Sequence, residues 1–357
     1  MKIQSWMMRE VAQPMVSAQR ELSPAAGEVL IEVAGCGVCH TDLGFFYDAV
    51  PTRHPLPLTL GHEVSGRVVA AGAGAESWVG RDVVVPAVIP CGTCRACLEG
   101  QGSICPGQVF PGNDVHGGFG SHVCVPVQGL CPVPDLADPA LNPAGLNLAS
   151  LSVIADAIST PYQALLRSDL QPGDLAVFVG VGGVGGFGAQ IAAALGAHVV
   201  AIDLDAAKLE ALAACGAELG LCASDLDFRA QKSAIKALAA EHDIPTWRWR
   251  IFETSGSTAG QATAFGLLGK GSFLGVVGYT PQKLELRLSN LMAFDATARG
   301  NWGCLPEHYP AILELVLGGQ IQLKPFIEER PLSSINEVFA ELHAHASSRR
   351  VILTPES

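Results

Sequence analysis

The sequence predicts an α/β protein in two parts: a β-rich domain, then a doubly wound parallel sheet with helices on its faces. Three observations predict it. Residues 1–155 carry short apolar runs broken by glycine and proline, the pattern of strands and turns. Beyond residue 156, continuous apolar runs alternate with alanine-rich helical stretches, the pattern of βαβ units. Finally, 357 residues, 49 % of them hydrophobic, exceed what one core usually absorbs and supply enough for two.

In chain order, the runs 28–33, 64–70 and 81–85 read as strands of the first part. The run 175–179 is a fully apolar strand. A glycine turn follows it, then the helical stretch 187–195 and a second apolar strand, 198–202. Further strands are expected at 250–252 and 271–277, and a last one at 350–353. The expected division is 1–155, 156–298 and 299–357, the last segment returning to the first domain. One stretch, EHDIPTWRWR at 241–250, fits neither period.

Charged residues make up only 16 % of the chain and the net charge is −12, so no basic stripe is available to neutralise nucleic-acid phosphates. The 11 cysteines are an odd number, a poor fit to a disulfide framework. No long apolar core opens the chain as a signal peptide would, and no run approaches the roughly 18 apolar residues of a membrane span. A reducing, cytoplasmic setting is the expectation.

Four of those cysteines, Cys91, Cys94, Cys97 and Cys105, stand in the run CGTCRACLEGQGSIC. Four thiolates on one short loop close a tetrahedron and leave no position for substrate, the mark of structural zinc. An iron–sulfur cluster is the competing reading, but its C-x2-C-x2-C-x3-C-P spacing is absent.

Residues 180–185 read GVGGVG directly after an apolar strand. Gly180 allows the tight turn, Gly182 lets backbone amides approach a pyrophosphate, and Gly185 lets helix and strand pack closely. Gly183 and Val184 lie inside the same turn, at the start of a helix whose free N–H groups favour an anion. Asp203 ends the second strand, where a carboxylate accepts from ribose hydroxyls and repels a 2′-phosphate. Leu204, Asp205 and Ala206 bring no arginine to welcome that phosphate, so NAD is expected rather than NADP. Lys208 either reaches the ribose or is a solvated helix residue.

Cys39, in GVCHTD, and His62, in GHE, are two-thirds of an open catalytic zinc site. With these motifs, the four-cysteine lobe and GVGGVG in that order, the chain resembles the zinc-dependent medium-chain alcohol dehydrogenases over essentially its whole length. The resemblance implies a GroES-like catalytic domain, a Rossmann cofactor domain and a cleft between them. It implies two zinc ions per chain, with Cys39 and His62 as catalytic ligands, Asp42 orienting His62, and Glu63 near the metal and able to exchange onto it. The third ligand departs from the family's common cysteine: in DAISTPY the matching position is Asp156, which is either a ligand or the N-cap of the next helix.

By the same resemblance, Thr41 takes the proton from the alcohol. Gly44 stands where many relatives have a relay histidine, leaving His54, Tyr47 or water to carry the proton onward. His40 and Arg350, or Arg349 one residue earlier, face the cofactor phosphates, and Gly278 lies against the cofactor. The family often joins its cofactor-domain sheets edge to edge in dimers or tetramers, and 272–279 is apolar enough to take part. The closest resemblance is to dehydrogenases of a cyclic allylic alcohol carried on coenzyme A in anaerobic aromatic degradation, with Arg53, His54 or Lys270 as candidate phosphate contacts. A dehydrogenase of free alcohols or polyols, or a quinone-reductase-like enoyl reductase, is the alternative. Cys39, Asp42 and His62 speak against the reductase.

Overall fold

The computed structural model of the chain describes residues 1–344 and 346–356, and every count below is of those residues. They form two compact units. The first takes Met1–Ser159, Gly303–Gly319 and the segment from Phe326 onward; the second takes Thr160–Trp302 and Gln320–Pro325. The return expected at residue 299 thus begins at Gly303 and is interrupted by a short excursion.

In the first unit, β1 (Lys2–Met7) pairs antiparallel with β2 (Val16–Glu21). The main sheet is built on β3 (Glu28–Gly37), which pairs antiparallel with β4 (Glu63–Ala71). Helix α1 (His40–Tyr47) lies between them in sequence. Next come β5 (Asp82–Val85), the one-turn α2 (Arg95–Leu98), β6 (His122–Pro126) and β7 (Cys131–Pro132). Val29, Ile31, Val33, Val64, Val68, Val83 and Val85 share one core with Phe119 and Phe339. Valine and isoleucine suit this place, because their branched Cβ packs well on a pleated surface.

The second unit opens with α3 (Ser159–Arg167) and the wholly buried β8 (Leu175–Val179). Then α4 (Gly185–Ala194), β9 (His198–Asp203), α5 (Ala206–Ala213), β10 (Ala217–Cys222) and α6 (Phe228–Glu241) alternate. They are followed by β11 (Trp249–Glu253), α7 (Thr258–Gly266), β12 (Phe273–Val276), α8 (Ser289–Phe294) and β13 (Thr297–Gly300). The six strands are parallel in the order β10-β9-β8-β11-β12-β13. Strand order reverses between β8 and β11, the point where doubly wound sheets bind dinucleotides. Strand β12 lies inside this sheet, so the edge belongs to the exposed β13 rather than to 272–279.

The chain then returns to the first unit with α9 (Tyr309–Leu317), β14 (Ile327–Pro331), α10 (Ile335–His343) and β15 (Arg350–Thr354). There β15 pairs with β3 and carries β14 as the outer strand.

The odd stretch 241–250 now has an account. It leaves α6, makes a single 3-10 turn over Thr246–Arg248 and enters β11. Trp249 is 2 % exposed and Trp247 62 %, so one indole fills the core and the other faces water. Arg248 and Arg250 converge on the buried Asp174 carboxylate, at 2.5 and 3.4 Å. Among the described residues, no helix is long and apolar enough to cross a membrane.

Candidate active site and metal centres

The catalytic cluster is assembled by the start of α1, the start of β4 and the end of a 3-10 helix over Ala149–Ala155. Helix α1 opens at Cys39 because that residue is extended (φ −104°, ψ 154°) while Asp42 Oδ2 accepts from its backbone N–H at 2.9 Å. The other oxygen of Asp42 accepts from the Gly61 backbone N–H at 3.1 Å. One buried carboxylate therefore pins both ligand-bearing turns. Asp42 Oδ1 also lies 3.3 Å from His62 Nδ1, alongside the ring but without the alignment of a full hydrogen bond.

Asp156 Oδ2 lies 3.5 Å from Cys39 Sγ and 3.6 Å from His62 Nε2. Tetrahedral zinc with ordinary bond lengths needs about 3.6 Å between a sulfur and an oxygen ligand and about 3.4 Å between a nitrogen and an oxygen. Asp156 stands at zinc's spacing from both other donors, all three lie within 4.8 Å of one another, and soft sulfur, imidazole and carboxylate are a donor set zinc accepts. Asp156 closes the 3-10 helix (φ −141°, ψ −54°) and α3 begins three residues later, so it does not sit at that helix's N-cap. Burial works against a charged His62, but Asp42, then Asp156 and Cys39, outweigh it and raise its pKa well above the ordinary value. A cation at this spot is what the surrounding groups are arranged to hold.

Glu63 is within 4.8 Å of the other three donors, yet both its oxygens are engaged. Arg350 forks onto them, Nε to Oε2 at 3.1 Å and Nη2 to Oε1. Both side chains are buried. Burial opposes the Arg350 charge, but Glu63 outweighs it and raises the guanidinium pKa well above its ordinary value. The guanidinium expected on the cofactor phosphates thus engages Glu63 through Nε and Nη2, and Arg349 is exposed.

Thr41 is half-buried with its Oγ1 3.7 Å from Cys39 Sγ, and His40 is exposed at the first turn of α1. Gly44 is buried, and a Cβ there would meet only Val50, at 3.5 Å. Tyr47 stacks on His343 at 4.0 Å, and His54 Nδ1 lies 2.6 Å from the Pro55 carbonyl. Of the candidate phosphate contacts, Arg53 is mostly exposed and 3.5 Å from Asp114, and Lys270 is exposed.

Sequence reading missed Tyr309. It is fully buried, burial raises its pKa, and its hydroxyl donates to the Ala155 carbonyl at 2.5 Å. Ser159 Oγ reaches the same carbonyl at 3.0 Å. The pair holds the backbone just before Asp156. No local motif could have announced a partner 154 residues away.

In the cysteine lobe, Sγ separations are 3.5 Å for Cys94–Cys97, 3.6 Å for Cys94–Cys105 and 4.0 Å for Cys91–Cys97. Four sulfurs on one zinc require about 3.8 Å, so this set fits as well. Backbone N–H groups of Thr93 and Cys94 aim at Cys91 Sγ and hold its pKa down at about 6, readying a thiolate.

In the second unit, Gly180 has φ +88°, and a Cβ there would strike Ser255. Gly185 starts α4 so close to β8 that a Cβ would enter the Gly180 carbonyl. Gly182 has open space, with Gly183 and Val184 between it and the helix. Asp203 Oδ2 accepts from Val181 N at 2.7 Å and Oδ1 from Asp205 N at 3.0 Å, tying the turn to the end of β9. Lys208 is half-buried on α5, and a Cβ on Gly278 would strike the Gly256 amide. Outside both predicted sites, His198, Glu218 and His242 also bring donor atoms within 4.8 Å of one another.

Two family models match the chain: "Alcohol dehydrogenase GroES-like domain" over residues 25–135 and "Zinc-binding dehydrogenase" over 183–318. An alcohol dehydrogenase of Geobacillus stearothermophilus is 29 % identical over 329 residues, covering 92 % of this chain and 91 % of its own. An NAD-dependent alcohol dehydrogenase of Sulfolobus acidocaldarius is 27 % identical over 341 residues, 92 % of each chain. Among solved structures, an alcohol dehydrogenase of Thermotoga maritima matches with a TM-score of 0.87 at 25 % identity, over 100 % of both chains. A cobalt- and zinc-bound thermostable alcohol dehydrogenase of Pyrobaculum aerophilum matches at 0.84 and 25 %, over 99 % of this chain and 100 % of its own.

Proposed function

Since the chain belongs to the zinc-dependent medium-chain alcohol dehydrogenases and uses zinc and NAD, we propose that it oxidises a secondary alcohol held against Cys39, His62 and Asp156. The single observation that carries this reading is the convergence of those three donors at zinc's ligand spacing. The overall reaction converts alcohol and NAD⁺ to ketone, NADH and a proton.

Zinc, when bound, would supply Lewis acidity that lowers the pKa of the substrate hydroxyl, and bound NAD would supply the hydride acceptor. The chain's own residues do the rest. Asp156 takes the third ligand position, with Glu63 kept back by Arg350. Asp42 keeps the Cys39 and His62 turns in register. Thr41 receives the hydroxyl proton, as its place beside Cys39 suggests. Gly44 offers no side chain to pass the proton on, so water carries it from Thr41; Tyr47 and His54 are otherwise engaged. Gly180–Gly185 would cradle the pyrophosphate, and the Asp203 carboxylate, which accepts from the Val181 amide, would also accept from the adenosine ribose. Lys208 and Gly278 add contacts along the cofactor.

For the substrate we propose 6-hydroxycyclohex-1-ene-1-carbonyl-CoA, oxidised to its conjugated 6-oxo product. Support comes from the resemblance of the whole chain and from Gly44, which stands where many relatives have a relay histidine. A free alcohol is the second reading, favoured by relatives named alcohol dehydrogenases. NADH formation at 340 nm decides between them. Turnover of the thioester but not of the free acid or simple alcohols is expected. Turnover of simple alcohols alone overturns the CoA assignment and leaves the zinc–NAD chemistry standing.

A further inference from the structure

We propose a third metal site, for zinc or another divalent transition ion, formed by His198, Glu218 and His242 on the second unit. His198 is the first residue of β9, Glu218 the second of β10, and His242 caps the C-terminus of α6. Three successive segments of the second unit thus bring two imidazoles and one carboxylate together. Glu218 Oε2 is 3.1 Å from His198 Nδ1 and 3.3 Å from His242 Nε2. About 3.4 Å separates nitrogen and oxygen ligands on tetrahedral zinc, so an ion would replace the hydrogen bond that His198 Nδ1 makes with Glu218 Oε1 at 2.8 Å with little movement of the carboxylate.

The His198 and His242 rings stack, with centroids 3.8 Å apart and a tilt of 31°, so an ion would have to splay them to the roughly 5 Å that two imidazoles on one tetrahedral zinc require. Side-chain exposures of 24 %, 38 % and 32 % leave the point half-sheltered, with room for water to complete the coordination. Two nitrogens and one oxygen suit zinc or copper better than magnesium or calcium, which prefer all-oxygen sites.

The position separates this site from the cofactor. Asp203 ends the strand that His198 begins, five residues later, which is about 16 Å along extended backbone. The candidate therefore stands at the N-terminal end of the parallel strands, away from the glycine turn. Strand β10 is the sheet's outer strand on this side, so an ion here would clip an edge strand and α6 to β9. Its role would be stabilisation of the second unit by mass action, not chemistry.

Calorimetric titration of Zn²⁺ into the purified enzyme, compared with His242→Ala and Glu218→Gln, tests this directly. The wild type is expected to bind one equivalent more than either variant, with a melting temperature that rises with Zn²⁺ only when the three residues are intact. Glu218→Gln keeps the shape and hydrogen bonding, and should weaken the extra equivalent at least ~10-fold. NADH formation should be unchanged in both variants. Because the comparison is between proteins, its outcome does not depend on how many zinc ions the other two centres hold. Equal binding capacity in all three proteins overturns the proposal.

Discussion

Replacing Arg350 by methionine removes the guanidinium from Glu63 and leaves a carboxylate with no exposure and no partner. Both side chains are essentially dry, at 5 % and 0 % exposure, so neither charge has water to fall back on. Breaking such a pair from one side costs about 3–5 kcal/mol. Part of that cost can be escaped by protonation. Burial already raises the Glu63 pKa, Asp156 pushes the same way, and Arg350 and His62 oppose them. Losing Arg350 raises it further, and each pKa unit of that rise is worth about 1.4 kcal/mol. The expected loss for Arg350→Met is therefore about 3 kcal/mol near neutral pH, the lower end of the range. Glu63→Gln combined with Arg350→Met removes both charges and should recover most of it. Urea unfolding of the four proteins of this double-mutant cycle, with zinc content measured alongside, gives the coupling energy. Glu63→Gln alone should keep every zinc ion, since both Glu63 oxygens are engaged by Arg350. A loss below about 1 kcal/mol for Arg350→Met, or a double variant no more stable than the single, refutes the reasoning.

Three further predictions follow from the same geometry. Asp156→Ala should lose one zinc ion per chain while the four-cysteine lobe keeps its own; unchanged metal content by elemental analysis would exclude the ligand role. Burial, with Arg20 and His54 nearby, lowers the His116 pKa to about 4, so the folded protein keeps this ring neutral while the unfolded chain protonates it below about 6.5. Stability should then fall as pH drops from 6.5 to 4, by about 1–2 kcal/mol after discounting the shift for partial solvent exposure, and His116→Gln should flatten that slope in unfolding measured across the window. Asp203→Gly with Leu204→Arg should move the cofactor preference from NAD toward NADP, and it should cost about 1 kcal/mol because the Val181 amide loses its acceptor. Unchanged kcat/KM ratios for the two cofactors would mean the ribose contact lies elsewhere.

Much of this was legible in the amino-acid order. The strand–glycine–helix–strand unit, the four-cysteine loop and the Cys39 and His62 turns each depend on neighbours within a few residues, and local spacing carries that information. Strand β8 was readable as buried on both faces because it is apolar without interruption. What only the tertiary structure decided involves partners far apart in the chain. Arg350 meets Glu63 across 287 residues, and Tyr309 meets Ala155 across 154. The return at Gly303 and the placing of β13 outside β12 belong to the same class. The physical reason is that a buried charge or hydroxyl must be satisfied by whatever the fold brings beside it, and sequence spacing records the periodicity of an element but not its neighbours.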